Sequence, residues 1–313
     1  MNTQAKLVNE LNTITTEGQN PNTLDIDLLD SFGVLKKINT EDQKVAAIVG
    51  SLLPEISQGV DLIVDAFTAG GRLIYIGAGT SGRLGVLDAV ECPPTFSVSS
   101  EQVIGILAGG AGAMYKAVEG AEDNRQLAID DLKAVNLSHK DVVVGIAASG
   151  RTPYVLSAMA FARELGAKVI GISCSANSDY AQNTHVNICA VVGAEALTGS
   201  TRMKSGTAQK LILNMLSTAS MIRTGKSYQN LMIDVNASNE KLYARAVRIV
   251  MQATECDFST AEKALAEAKN QTKLASLMVL TGLDYTCLLY PSNVAEEWRR
   301  FGLCVYVTFH ILR

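Results

Sequence analysis

Five short apolar runs constrain the architecture of this chain more than any other feature: Leu73-Ile74-Tyr75-Ile76, Val103 to Leu107, Val142 to Ile146, Val169 to Ile172 and Val186 to Val192. Each has strand length, is rich in β-branched residues and is bounded by glycine or polar residues, so each reads as a β-strand. None shows the strict polar and apolar alternation of a strand with one wet face. Near-continuous apolar strands need cover on both sides, which is the signature of a parallel sheet between two layers of helix. Helix-patterned stretches separate several of the runs. The clearest is Pro153 to Leu165, with a proline suited to the first helical turn and Gly166 as a natural stop. The expected fold is therefore α/β in three layers.

The flanks read differently. Residues 1–40 are polar, and Thr15 to Thr23 is rich enough in turn residues to predict an arm without regular structure. From about Glu41 the spacing of Val45, Ile48, Val49, Leu52 and Leu53 predicts a helix, interrupted near Pro54 and resumed through Ile56, Val60, Ile63 and Val64. After the last strand, Gly206 to Thr224 reads as a long helix with Leu211, Met215, Ala219 and Ile222 on one stripe. Asn239 to about Leu283 reads as further helix with a turn near Cys256 to Ser259. The expected organisation is an arm and helix start over 1–45, the sheet domain over 46–235 and a small helical domain over 236–313.

Several function classes are disfavoured. With 27 Lys and Arg against 31 Asp and Glu, the net charge of −4 offers no field for a nucleic acid. The six cysteines lie far apart without a C-x-x-C pair, as expected of reduced thiols. The three histidines, His139, His185 and His310, sit at no ligand-like spacing, so no metal site is expected. The first residues, Met1 to Asn12, lack the apolar core of an export signal, and no run reaches the roughly 18 apolar residues of a membrane span. A cytoplasmic protein without a membrane partner is expected.

The chemistry concentrates where strands end. Thr80-Ser81-Gly82-Arg83 follows the first strand and Ala148-Ser149-Gly150-Arg151-Thr152 follows the third. Both turns fall at the carboxyl ends of strands, where open α/β sheets bind ligands. Gly77 to Gly82 also satisfies G-x-G-x-x-G, yet a dinucleotide site needs an acid after the second strand, and Ala108-Gly109-Gly110 stands there. Serine and threonine hydroxyls beside the amide donors of a helix N-terminus instead suit a single phosphate; any one such cluster is better explained as a helix cap, but Ser81, Ser149 and Thr152 together favour the phosphate. A third cluster, Thr198 to Gly206, adds further hydroxyls with Arg202 and Lys204. There is no P-loop motif. Two acidic motifs complete the set. Glu91-Cys92-Pro93-Pro94-Thr95-Phe96 closes the first helix after the sheet begins, with two prolines fixing the backbone beyond the carboxylate, and Glu119-Gly120-Ala121-Glu122-Asp123 follows the second strand. They read either as solvated helix-end carboxylates or as a proton-transfer pair beside a bound phosphosugar.

Taken together, Ile76 to Gly85, Glu91 to Phe96, Ala117 to Asp123, Gly145 to Val155 and Leu197 to Lys204 closely resemble the N-acetylmuramic acid 6-phosphate etherase family of sugar-isomerase (SIS) domain enzymes, over about Thr16 to Tyr285. The resemblance implies one SIS domain with a C-terminal helical domain, acting as a homodimer without metal or coenzyme. It implies cleavage of the D-lactyl ether of N-acetylmuramate 6-phosphate to N-acetylglucosamine 6-phosphate and D-lactate, in cell-wall sugar recycling. Glu91 then matches the family's acid and Glu122 its second essential glutamate, assigned here as the base. Ser81, Ser149 and Thr152 match the positions that hold the sugar phosphate, with Gly79, Thr80, Gly150 and Ser200 beside them. Arg202 or Lys204 is a candidate for the lactate carboxylate. The chain departs from the family at Val90, where a small hydroxyl is expected, at Ser97, where glycine is usual, and from Thr286 to Arg313, a tail expected to pack poorly or move. The competing reading is a regulator that binds sugar phosphates without converting them, which would have no need of Glu91 and Glu122.

Overall fold

The computed structural model describes residues 14–235 and 240–289. All five expected strands form: β1 (Leu73–Gly77), β2 (Val103–Leu107), β3 (Val142–Ile146), β4 (Lys168–Ser173) and β5 (Val186–Cys189). They pair in parallel in the order β2-β1-β3-β4-β5. The last strand stops at Cys189, three residues short of the apolar run that predicts it. Leu73 faces Val103 on one side and Val142 on the other, so β1 is an interior strand, next to the edge strand β2, and its two neighbours come from different directions of chain travel.

The chain forms two compact units, residues 1–90 with 100–218 and residues 91–99 with 219–313. In the first, alternate strand residues supply two cores. Ile74, Ile76, Val143 and Val169 cluster with Ala128 and Leu132 of α5 (Arg125–Ala134) and with Tyr154, Val155, Ala158 and Met159 of α6 (Pro153–Glu164). The opposite face is covered by α3 (Leu53–Thr68), with α7 (Lys204–Arg223) packed against it through Leu216. There Gly59 of α3 packs so closely that an added Cβ would lie 2.9 Å from Leu216 and 3.3 Å from Ile170. Both faces are thus dry, which is why β1 and β3 carry no charged residue and are buried throughout.

The amino-terminal stretch departs from the expected arm. Short 3-10 turns occupy Thr15–Glu17, Pro21–Thr23 and Ile26–Leu28, and α1 spans Ser31–Asp42, capped by the Asp30 carboxylate accepting from Gly33 N at 2.8 Å. Asn20 donates to Ala194 O at 3.0 Å and Thr23 to Ala196 O at 2.9 Å. Polar residues that read as loop are here buried because each satisfies a backbone carbonyl across the unit. The interrupted helix appears as α2 (Val45–Gly50) followed by α3, with Pro54 in the first turn of α3.

The helix after β1, α4 (Gly79–Phe96), closes on the Glu91 motif as expected, running through Pro93 and Pro94 to the motif's last residue, Phe96. Prolines this near a helix end remove only ladder bonds of the final turn. Ser97 follows with φ +50°, donating its N–H to Pro93 O at 2.9 Å. This is the left-handed closing position that glycine favours, here taken by serine.

The second unit contains α8 (Glu240–Thr254), α9 (Phe258–Glu267), α10 (Thr272–Thr281) and α11 (Tyr285–Leu289). Ala246, Val250, Ala261, Leu265, Ala275 and Met278 form its core with Val235. Asp257 caps α9 through Thr260 N at 2.8 Å, and Gly282 closes α10 at φ +71°. The single expected turn near Cys256 to Ser259 is joined by a second break at Lys269 and Asn270, both with positive φ. The expected loose tail lies outside the described residues from residue 290 onward. Among the described residues no single helix is long and apolar enough to cross a membrane.

Candidate active site

From β1 the chain leaves to β2 on one side and returns to β3 on the other, so the sheet has its topological switch point between β1 and β3. A crevice opens at the carboxyl ends of such strands, and the two hydroxyl-bearing turns are the loops that leave those two ends.

After β1, Gly79 turns the chain at φ +54° and begins α4, which places Thr80 and Ser81 in the first helical turn among its unbonded amide donors. Ser81 is 9% exposed and its hydroxyl donates to Gln209 Oε1 at 3.0 Å. After β3, Gly150 stands at φ +67° with its N–H on Ala147 O at 3.2 Å, and its carbonyl accepts Asp179 N at 3.1 Å. Ser149 is half-buried and its Oγ accepts from Arg151 N at 3.2 Å. Thr152 occupies the cap position of α6, but its side chain makes no cap bond, leaving the hydroxyl with the first amides of a helix beside it.

The third cluster approaches through α7. A Cβ on Gly206 would lie 3.6 Å from the Thr80 methyl, so the first turn of α7 lies against the β1 turn. Ser200 is half-buried in the loop before it. This helix start is set by Glu195, fully buried, which accepts Lys204 N, Ser205 N and Ser205 Oγ, each at 2.9 Å. Lys204 is 2% exposed, with its ammonium 2.7 Å from Glu41 Oε2. A buried ammonium already paired has nothing to offer a lactate carboxylate, so that candidate role falls. Arg202 is exposed.

The two glutamates stand apart from these turns in character. Glu122 is exposed in the 3-10 turn Ala121–Asp123, whose Ala121 is buried in the same core cluster as Tyr154 and Val155 of α6. Glu91 is exposed on α4, in the 91–99 segment of the second unit, and precedes the buried Cys92. Val90 is exposed as well, at 64%. Sequence reasoning passed over several polar groups. Gln209, Ser173 and Ser175 are buried, and Gln209 Nε2, Ser173 Oγ and Ser175 Oγ have no hydrogen-bond partner among the described residues. Ser173 ends β4 beneath Gly150, where an added Cβ would meet Ser173 Cβ at 3.1 Å. A serine closing an otherwise apolar strand was the available signal. Asp88 of α4 is held by Tyr75 at 2.8 Å and Ser217 at 3.2 Å, and burial pushes its carboxyl above the usual range despite those bonds.

A parallel sheet with two hydroxyl-bearing helix starts at its switch point is the architecture of the SIS domain class. Residues 126–219 match the SIS domain family, residues 55–163 the glucokinase regulatory protein N-terminal SIS domain, and residues 229–280 the C-terminal lid domain of glucokinase regulatory protein. Among curated relatives, the N-acetylmuramic acid 6-phosphate etherase of Colwellia psychrerythraea is 91% identical over 286 residues, covering 91% of this chain and 93% of that protein. The corresponding etherase of Pseudoalteromonas atlantica is 61% identical, covering 90% and 92%. Etherase 2 of Vibrio cholerae is 59% identical with the same coverage. The chain belongs to the N-acetylmuramic acid 6-phosphate etherase family.

Proposed function

We propose that this protein cleaves the D-lactyl ether of N-acetylmuramate 6-phosphate with water, releasing N-acetylglucosamine 6-phosphate and D-lactate. The observation that carries the reading is the pair of hydroxyl-bearing helix starts on either side of the β1/β3 switch point, in a chain 91% identical to a named etherase. Ser81, Ser149 and Thr152, with Gly79, Thr80, Gly150 and Ser200 beside them, hold the C6 phosphate through hydroxyls, backbone amides and the α4 and α6 dipoles.

An ether oxygen leaves poorly, so displacement at C3 is slow. In the open-chain sugar the aldehyde acidifies the C2 proton. Its removal pushes the electron pair into a C2–C3 double bond and the C3–O bond breaks, with a proton delivered to the departing lactate oxygen. Water then adds at C3 and a proton returns to C2. The sequence needs a base at C2 and an acid at the ether oxygen. Glu91 is assigned the acid, which afterwards helps deliver water, and Glu122 the base. Neither step calls on a metal or coenzyme. The protein acts as a homodimer in the cytoplasm, in the recycling of cell-wall sugars.

The matches to the regulatory protein's SIS and lid domains favour one alternative, a sensor that binds the phosphosugar unchanged. Incubation with N-acetylmuramate 6-phosphate in isotopically labelled water separates the two. Lactate release with label in the sugar C3 hydroxyl is expected. Binding without lactate would make the protein a sensor, and unlabelled sugar beside free lactate would rule out elimination and hydration.

A further inference from the structure

Gln209 lies in α7, is 1% exposed and touches the phosphate turn through one atom, Oε1, which accepts the Ser81 hydroxyl proton at 3.0 Å. Its other polar atom, Nε2, is buried with no partner among the described residues. A buried amide donor left unpaired is rarer than an unpaired acceptor and calls for a reason. The surroundings supply one. Glu195 fixes the start of α7, Gly206 sets the first turn of α7 against Thr80, and Gln209 is one turn further on, against Ser81. A serine whose proton is held by a side-chain amide cannot also give that proton to a phosphate oxygen.

We propose that Gln209 is a positioning residue of the phosphate site: its amide turns over when phosphate binds, so that Nε2 donates to Ser81 Oγ while the Ser81 hydroxyl, its O–H bond intact, turns to donate a hydrogen bond to a phosphate oxygen. The buried donor then gains a partner, and the orphaned group becomes an amide oxygen. Ser81 becomes donor and acceptor at once, in a chain from α7 through the hydroxyl to the anion, which strengthens the bond to the charge. This rests on the phosphosugar reading given above and adds to it a residue that no motif marks.

Calorimetric titration of the full chain with N-acetylglucosamine 6-phosphate and with inorganic phosphate tests it. Gln209→Met keeps length and apolar packing but removes both polar atoms, and Ser81→Ala removes the hydroxyl. Each is expected to weaken sugar-phosphate binding by roughly tenfold or more, the scale of a hydrogen bond to a charged group. The double variant should bind no more weakly than Ser81→Ala alone, because both changes break one chain. Relative to the wild type at each pH, which cancels the titration of the ligand's own phosphate at about pH 6, Gln209→Glu should bind worst at high pH and recover as the pH falls and the new carboxyl becomes a donor; a side chain that does not act on the phosphate site would give no such difference. That variant decides the matter if Gln209→Met fails to fold. Independent, multiplying losses, a pH profile parallel to the wild type's, or normal binding by Gln209→Met beside a weakened Ser149→Ala would overturn the inference alone. Failure of the wild-type chain to bind either probe would overturn the phosphosugar reading and this inference with it.

Discussion

Ser81-Gly82-Arg83 and Ser149-Gly150-Arg151 are the same tripeptide at two strand ends, yet they are built differently. The first lies inside a helix that has already begun at Gly79, so Ser81 faces α7 and is buried. The second precedes its helix, so Gly150 takes a left-handed conformation and Ser149 stays half-buried, bonded within its own turn. The arginines agree where the serines differ. Arg83 donates to Ala113 O at 2.7 Å and Met114 O at 3.1 Å, and Arg151 donates to Asn177 O through Nη2 at 3.2 Å. Each guanidinium fastens its turn to the loop of the adjacent strand instead of facing an anion. Both turns therefore present hydroxyls and amides, one held from outside by α7 and one holding itself.

Neither turn contains a group that moves a proton, and that gives the largest expected effect. Glu91→Gln, which lies outside both turns, should lower lactate release by about 10²- to 10⁴-fold while sugar-phosphate affinity is retained, since an amide keeps the shape but cannot donate the acid proton. Steady-state turnover with calorimetry on the same preparation measures both. Near-normal turnover would remove Glu91 from the chemistry.

The second effect separates the turns by their glycines. Gly150→Ala carries two costs, a left-handed backbone and a Cβ placed 2.2 Å from Ser178 Cβ, together about 3 to 5 kcal/mol. Gly79 has a similar φ but nothing within 4 Å of an added Cβ, so Gly79→Ala should cost only about 1 kcal/mol. Denaturant unfolding of the two variants gives the difference. Equal losses would mean that the β3 turn yields as easily as the β1 turn.

That contrast also marks what sequence can reveal. The strands were legible because a two-sided parallel sheet demands unbroken apolar runs, and Pro153 and Gly166 bracketed α6 from local geometry alone. Ser81, Ser149 and Thr152 were legible as a repeated pattern. Their supports were not: Gln209 is one amide within α7, and its pairing with Ser81 spans 128 residues. The docking of the amino-terminal stretch escaped for the same reason. Asn20 and Thr23 look like loop residues until Ala194 and Ala196 bring their carbonyls to them. Helix α4 runs through its prolines because end-of-helix bonds are cheap to lose.

The smallest expected effect probes how the β1 turn is held from outside. Glu41 is 3% exposed and joins α1 to the start of α7, accepting from Lys204 Nζ at 2.7 Å, Lys44 Nζ at 2.5 Å and Asn22 Nδ2 at 3.0 Å. Burial alone would raise its carboxyl, but these donors outweigh burial and bring it from 4.5 to about 2. A carboxyl lowered in the folded state stabilises the fold fully above its unfolded value. That stability is lost as the pH falls from about 4.5 towards 2. Lys44→Met removes the most exposed of the three donors and should cost only about 0.5 kcal/mol at neutral pH. It should also move acid unfolding, followed by circular dichroism, to a higher pH, because the Glu41 carboxyl then takes up its proton sooner. An unmoved or lowered acid midpoint would mean that Lys204 and Asn22 alone hold Glu41, and that α7 owes nothing to Lys44 in keeping Gln209 against Ser81.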